Sequence, residues 1–337
     1  MVLCAGCVLA AACEGTAATA GDGMAESGAA LVADSVLAEG PVARPGEPVD
    51  LFNATDIAVV GEAVVVVDNG NDRVVLLDAQ LNVMRVVGRR GGGPGEYDGP
   101  FLVRPHAGGM VVLDPGNARF TLLEADGSFR DVVPAQVGVM PFAVTSSGEF
   151  YIPSRNRTEY LQRLRGGESV PFAARPDTGA VTDSAQFSFG ERDAFVAVTA
   201  GDTVHVMDGA AGVLHKYAPT GERVLSRSLP AGLADTLLAR SAEVAAQFQE
   251  GGRRVTAPFV KSFTPTRDGA MLLLVAGSAN TCALRIDART YAVQRIVRPD
   301  ERPEWQPLCT AAGGWLAEPV LYVVSGESVF AFRLAER

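Results

Sequence analysis

Histidine is scarce in this chain. Its 337 residues hold three, His106, His205 and His215, so histidine-rich metal chemistry is not expected, and no metal or other cofactor is implied. A basic excess is also missing: 29 lysines and arginines stand against 39 aspartates and glutamates, for a formal charge of −10. Nucleic-acid binding needs lysines and arginines gathered on one face to displace counterions from phosphates, and this balance argues against it. Catalytic signatures are absent as well. No G-x-S-x-G occurs, and "SSG" at Ser146 to Gly148 reads as a turn. Five cysteines are present, but three fall within the first 13 residues, leaving Cys282 and Cys309 as a possible disulfide or as two buried thiols.

The N-terminus is apolar, small and uncharged. "MVLCAGCVLAAACEG" is shorter than the roughly 20 residues of a spanning helix and has the core of a secretory signal, residues 1–13. "LAAAC" is similar to a bacterial lipobox, which implies lipidation at Cys13; "LCAGC", ending at Cys7, is the competing site. Residues 14–41, rich in Ala, Gly and Ser, read as a flexible tether, and 42–337 as the folded domain. The expected address is therefore outside the cytoplasm, in the periplasm or on the outer surface, with the membrane reached through a lipid alone.

The folded part repeats itself. "EAVVVVDNGNDRVVLLDAQLNVMRVVG" is three β-branched runs separated by turn clusters, and "GMVVLDPGNARFTLLEADGSFRDVV" repeats it. Asp68, Asn71 and Arg73 fall on Asp114, Asn117 and Arg119, a spacing of 46 residues. Weaker copies follow, each preceded by a short apolar segment: "TDIAVV", "FLVRP", "PFAVT", "AFVAVT", "VKSFTPT" and one near "LCTAA". Four strands per unit in six units predict a six-bladed β-propeller. The glycine-rich stretch "GRRGGGPGEYDGP" then falls where the chain crosses from the rim of one blade to the hub of the next. It lacks the Lys-Ser/Thr of a phosphate loop and is followed by no helix, so a connector is expected.

"VVDNGNDRVVLLDAQLNVMRVVGRRGGGPGEYDGP" resembles an NHL repeat, and the region from about Val42 to Arg337 resembles the six-bladed, TolB-like propellers of bacterial envelopes. The resemblance implies a fold more than an activity. The Asp/Asn/Arg sets are expected to be structural, because they recur by blade and such side chains fold back on turn amides. "PAGLADTLLARSAEVAAQFQEGG" has Leu233, Leu237, Val244, Ala245 and Phe248 at helical spacing, predicting one helical insertion near 231–250, either packed on the propeller's side or lying over a channel mouth. "PVARPGEPVDLF" is the candidate for an extra strand clasping the last blade and closing the ring.

Propeller ligands bind where inner strands and their loops meet the channel. The candidates there are Asp56, Arg104, His106 and Lys261, a mixed and mostly cationic set. Calcium-dependent lactonase propellers imply carboxylates and asparagines in the channel, and Asp56 is one acid only. The expectation is a non-enzymatic, exported module that binds a protein, peptide or glycan. A metal-dependent hydrolase or lyase using the channel is the alternative.

Overall fold

The computed structural model describes residues 23–41, 49–135, 138, 140–154, 158–166, 168–175, 194–209, 211–247, 260–278 and 281–337. Cys13, the rest of the expected signal, residues 42–48 of the expected closing strand, Asn156 and Phe248 lie outside them.

After a first strand β1 (Leu31–Gly40), the chain lays down antiparallel meanders. They are β2 (Ala54–Val60), β3 (Ala63–Asp68), β4 (Arg73–Leu77) and β5 (Val83–Val87); β6 (Leu102–His106), β7 (Gly109–Asp114), β8 (Arg119–Leu123) and β9 (Phe129–Pro134); β10 (Ala143–Val144), β11 (Phe150–Pro153), β12 (Glu159–Arg165) and β13 (Glu168–Ala174); and β14 (Ala194–Thr199), β15 (Thr203–Asp208), β16 (Val213–Tyr217) and β17 (Arg223–Ser228). Each of these is a four-stranded sheet in sequence order. Beyond helix α1 (Ala231–Gln247) come β18 (Val260–Pro265), β19 (Met271–Ser278), β20 (Thr281–Ile286) and β21 (Val293–Val297), then a short helix α2 (Gln306–Thr310), β22 (Gly313–Ala317), β23 (Val320–Ser325) and β24 (Ser328–Glu336). These last seven strands and β1 form one eight-stranded sheet, ordered β18-β19-β20-β21-β1-β24-β23-β22. The first strands pack side by side around an axis: β2 on β6, β6 on β10, β10 on β14, β14 on β18, β18 on β22, and β22 back on β2. The architecture is an all-β propeller of four-stranded blades, closed through the eight-stranded sheet.

The second strands explain the cohesion. β3 reads AVVVVD and is buried at every position, as a strand covered on both faces must be, so its side chains build the core between neighbouring sheets. Where β-branched residues thin out, aromatics fill the interface: Phe120 stacks on Phe150 with ring centres 4.4 Å apart.

The repeated Asp/Asn/Arg sets are clamps. Asp68 accepts from the Phe52 amide, the Asn71 side chain and Arg73 Nε, while Asn71 and Arg73 also donate to the Asp50 carbonyl. Asp114 does the same with the Asp98 amide, Asn117 and Arg119 Nε. Arg119 then reaches the carbonyls of Gly92, Gly93 and Glu96. The glycine-rich stretch is thus a connector tied down by the sheet that follows it. Gly88 has φ +99°, and a Cβ there would stand 2.5 Å from the buried Tyr97 ring, so glycine is required for the crossing.

Three expectations are corrected. The tether 14–41 is not flexible throughout, and the domain begins before residue 42: Leu31–Gly40 is β1, whose backbone pairs antiparallel with β24 and, through Leu31 and Val32, parallel with β21. The edges of β21 and β24 demand a partner, and the tether residues supply it although their small side chains carry little strand signal. The clasp expected from "PVARPGEPVDLF" is made by β1. The inner strand near "LCTAA" is instead α2, which Pro307 opens; the strand is β22, GGWLA. Helix α1 packs against β19, with Leu233 and Leu237 buried in the cluster that holds Met207 and Leu273. No described residue of α1 lines the axis.

Candidate functional site

The axial channel is divided in two by a buried ion pair. Asp56, near the start of β2, is 1% exposed, and Arg104 on β6 is 5% exposed. Asp56 Oδ2 accepts from Arg104 Nη1 at 2.6 Å and from the Val103 amide at 3.0 Å, while Arg104 Nη1 also donates to the Val103 carbonyl. The guanidinium lies 5.6 Å from the centre of the Phe142 ring. Burial pushes the Asp56 carboxyl above its ordinary range, against the opposing pull of Arg104 and the Val103 amide. Gly313 of β22 lets this pair fit: a Cβ would meet Asp56 Cα and Oδ1 at 2.8 Å.

On one side, at the C-terminal ends of the inner strands, lies a wide chamber of about 460 Å³. Val59, Val144, Val196, Val198 and Pro265 make it apolar, and its polar groups are Arg104, His106, Thr266, Arg267 and Trp315. No carboxylate is among its lining residues. Trp315 is 4% exposed and its Nε1 has no partner among the described residues, so it offers a donor. Arg267 stands exposed at the rim and donates to the Gly61 carbonyl. His106 is half-buried and held below its ordinary pKa, first by burial and then by Arg130.

On the other side, at the N-terminal ends, a narrow chamber of about 260 Å³ is walled by Phe101, Phe195 and Phe263 and carries Asp56, Arg104, Lys261 and Ser262. Lys261, whose side chain is exposed, donates from Nζ to the carbonyls of Cys309 and Ala311, each at 3.3 Å, and partial desolvation lowers its pKa. Cys309 on α2 is in turn linked to Cys282 on β20, with Cα atoms 4.4 Å apart.

The four candidates from the sequence are therefore not one cluster. Asp56 and Arg104 meet at the centre, His106 belongs to the wide chamber and Lys261 to the narrow one. Trp315, Arg267, Thr266 and Ser262 were missed. "GGW" went unread because the strand was expected near "LCTAA"; for Arg267 and Thr266 no local signal distinguishes a rim loop from any other turn.

A divalent cation does not fit the described residues of this axis. Hard cations take several oxygen ligands, but the one axial carboxylate, Asp56, is engaged by Arg104, and the neighbouring charged groups are cationic. Among the described residues no group of three or more His, Cys, Asp and Glu could hold a metal ion.

His205 and His215 stand on neighbouring strands, away from both chambers. Tyr160 Oη donates to Asp208 Oδ2 at 2.7 Å and sits 3.2 Å from His215 Nε2, whose ring reaches Ser226 Oγ at 2.8 Å. Burial holds both imidazoles down at about 4 and raises the Tyr160 phenol. The network fastens the third sheet to the fourth.

No protein-family model matches the sequence, and no curated protein matches it. Solved structures do. A protein of Bacteroides fragilis described as exported aligns with TM-score 0.57 at 10% identity, covering 94% of this chain and 99% of that one. Virginiamycin B lyase from Staphylococcus aureus aligns with TM-score 0.51 at 9% identity, over 85% and 98%. The gluconolactonase XC5397 from Xanthomonas campestris gives 0.50 at 13% identity, over 85% and 87%. At such identities the likeness is one of fold.

Proposed function

We propose that this chain is an exported, six-bladed, NHL- and TolB-like propeller that acts as a non-enzymatic binding module, receiving an apolar element of a protein or peptide partner in its wide axial chamber. Six blades follow from reading the eight-stranded sheet as two, β18–β21 and β22–β24 with β1, joined where β1 meets β21. The observation that carries the binding reading is the wide chamber itself: a concave, valine-walled space with no carboxylate in its lining and with Trp315 Nε1 as an unmatched donor. Such a chamber suits an apolar group bearing a carbonyl or other acceptor. A glycan, with many hydroxyls to satisfy, suits it less. Lipidation at Cys13 would hold the module at a membrane, and among the described residues no helix is long and apolar enough to cross one.

The test is photo-crosslinking in cells with a benzophenone amino acid at Val198, on the chamber wall, compared with Arg223, on the outermost strand β17. A discrete adduct from 198 and none from 223 is expected. Equal labelling from both, or none from 198 in a folded variant, would overturn the reading, and turnover of lactones or esters by the purified protein would put the hydrolase in its place. Membrane retention of a Cys13→Ala variant would count against the anchor.

A further inference from the structure

We infer that the narrow chamber is a second binding site, for a compact hydrophobic carboxylate. It opens at the opposite end of the axis from the wide chamber and shares one lining residue with it, Arg104.

Charge sets the sign of the ligand. The described lining carries one carboxylate, Asp56, and two cations, Arg104 and Lys261. Asp56 is matched by Arg104 at 2.6 Å, which leaves Lys261, directed to two backbone carbonyls, as the unmatched cation of the described lining. In a protein of formal charge −10 this is a local reversal. Two of the three ammonium donors are directed to carbonyls, and the third remains to be used.

Hydrogen bonding sets the ligand's chemistry. Ser262, next to Lys261 on β18, is 8% exposed, lines the same chamber, and its Oγ has no partner among the described residues. A buried hydroxyl without a partner is unfavourable, and a ligand acceptor would relieve it. Arg104 is committed to Asp56 and to the Val103 carbonyl through Nη1. The donors that the chamber offers are thus the Lys261 ammonium and the unmatched Ser262 hydroxyl, from adjacent residues of β18.

Walls and size set the rest. Phe101, Phe195 and Phe263 face a space of about 260 Å³, below the roughly 300–1,000 Å³ of pockets for drug-sized ligands. A strongly hydrated anion such as phosphate would give up its water against phenyl rings. A carboxylate attached to one aromatic or branched group keeps its charge at Lys261 and buries the remainder. Both a free organic acid and the C-terminus of a peptide with a hydrophobic last residue have that chemistry.

The experiment is calorimetric titration of the full chain with phenylacetate, its neutral analogue phenylacetamide, and a tetrapeptide ending in phenylalanine, free or amidated. Saturable binding of phenylacetate, weakened about tenfold or more in the amide and in Lys261→Met, is expected, and Ser262→Ala should weaken it by less. Val198→Trp, which narrows the wide chamber, should leave it unchanged. Tighter binding of the free-acid peptide than of phenylacetate identifies a peptide terminus as the source; the reverse identifies a small acid. Equal affinity for acid and amide, no saturation, or loss of phenylacetate binding in Val198→Trp would overturn the inference. Should Lys261→Met fail to fold, the acid-against-amide comparison in the unaltered protein decides.

Discussion

The first two sheets and the closing sheet face the same mechanical problem and solve it at different ranges. In the first two, the aspartate ending the second strand gathers an asparagine three residues on, an arginine five residues on, and the amide of the incoming connector. Every part lies within one repeat and the connector that leads into it. The eight-stranded sheet uses contacts between residues that are far apart in the chain: Leu31 pairs with Glu336 and with Ile296. Local polar clamps set the angle of each connector and can be repeated. Ring closure happens once, and it requires the two ends of the folded chain to find each other.

The sharpest way to break that contrast is to remove its long-range half. Deleting residues 23–40 exposes the edges of β21 and β24 and uncovers Ala33, which is buried in the cluster around Phe332. The loss is expected to consume most of the ~5–15 kcal/mol that a folded domain holds in reserve, giving a non-cooperative or aggregated chain. Urea unfolding followed by tryptophan fluorescence checks this, since Trp305 shares that cluster. A truncated protein with an unchanged midpoint would mean that β1 merely decorates the ring.

Asp114→Ala should come next. It strands Arg119, 12% exposed at its side chain, and orphans the Asp98 amide, so the cost should be about 3–5 kcal/mol. Asp68→Ala should cost somewhat less, because Arg73 is 22% exposed and water can replace part of the pair. Chemical denaturation of the two variants side by side gives both values; a cost under about 1 kcal/mol for each would reduce the clamps to surface pairs. Replacing Cys282 and Cys309 together by alanine should cost about 2–4 kcal/mol. The discriminating readout is reductant: it should lower the melting temperature of the Asp114→Ala protein as much as that of the unaltered one, and leave the cysteine-free protein unmoved.

These ranges also decide what could be read from the sequence. The Asp/Asn/Arg sets and the glycine-rich connector are local, so their spacing announces both their presence and their role. The β1 segment could not be read that way: LVADSVLAEG resembles the tether around it, and its register with β24 shifts between Ala33 and Ser35 and again between Val36 and Ala38, which blurs alternation. The site was legible one residue at a time. Asp56, Arg104, His106 and Lys261 were recognised as belonging to inner strands, but whether two inner strands bring their side chains together depends on stagger between sheets, which no single strand encodes. Trp315 was hidden because Gly313 and Gly314 are poor strand formers in isolation. They are needed here because Asp56 and the Leu274 side chain come so close.

The smallest effect should separate the fourth sheet from the first two. There the core between sheets holds neutral imidazoles: His205 beside Thr199, with Lys216 adding its charge, and His215 between Tyr160 and Ser226, with Asp208 and Arg223 nearby. Burial depresses both to about 4, below the ~6.5 of an unfolded histidine. The unfolded chain therefore binds more protons in that interval, so stability from these groups is complete above about 6.5 and lost as pH falls toward 4. Melting temperature should decline across that window in the unaltered protein and decline less steeply in His205→Gln. If His205→Gln and the unaltered protein fall in parallel from 6.5 to 4, the imidazoles are not the buried neutral groups described here, and the fourth sheet is held in an acid-insensitive way.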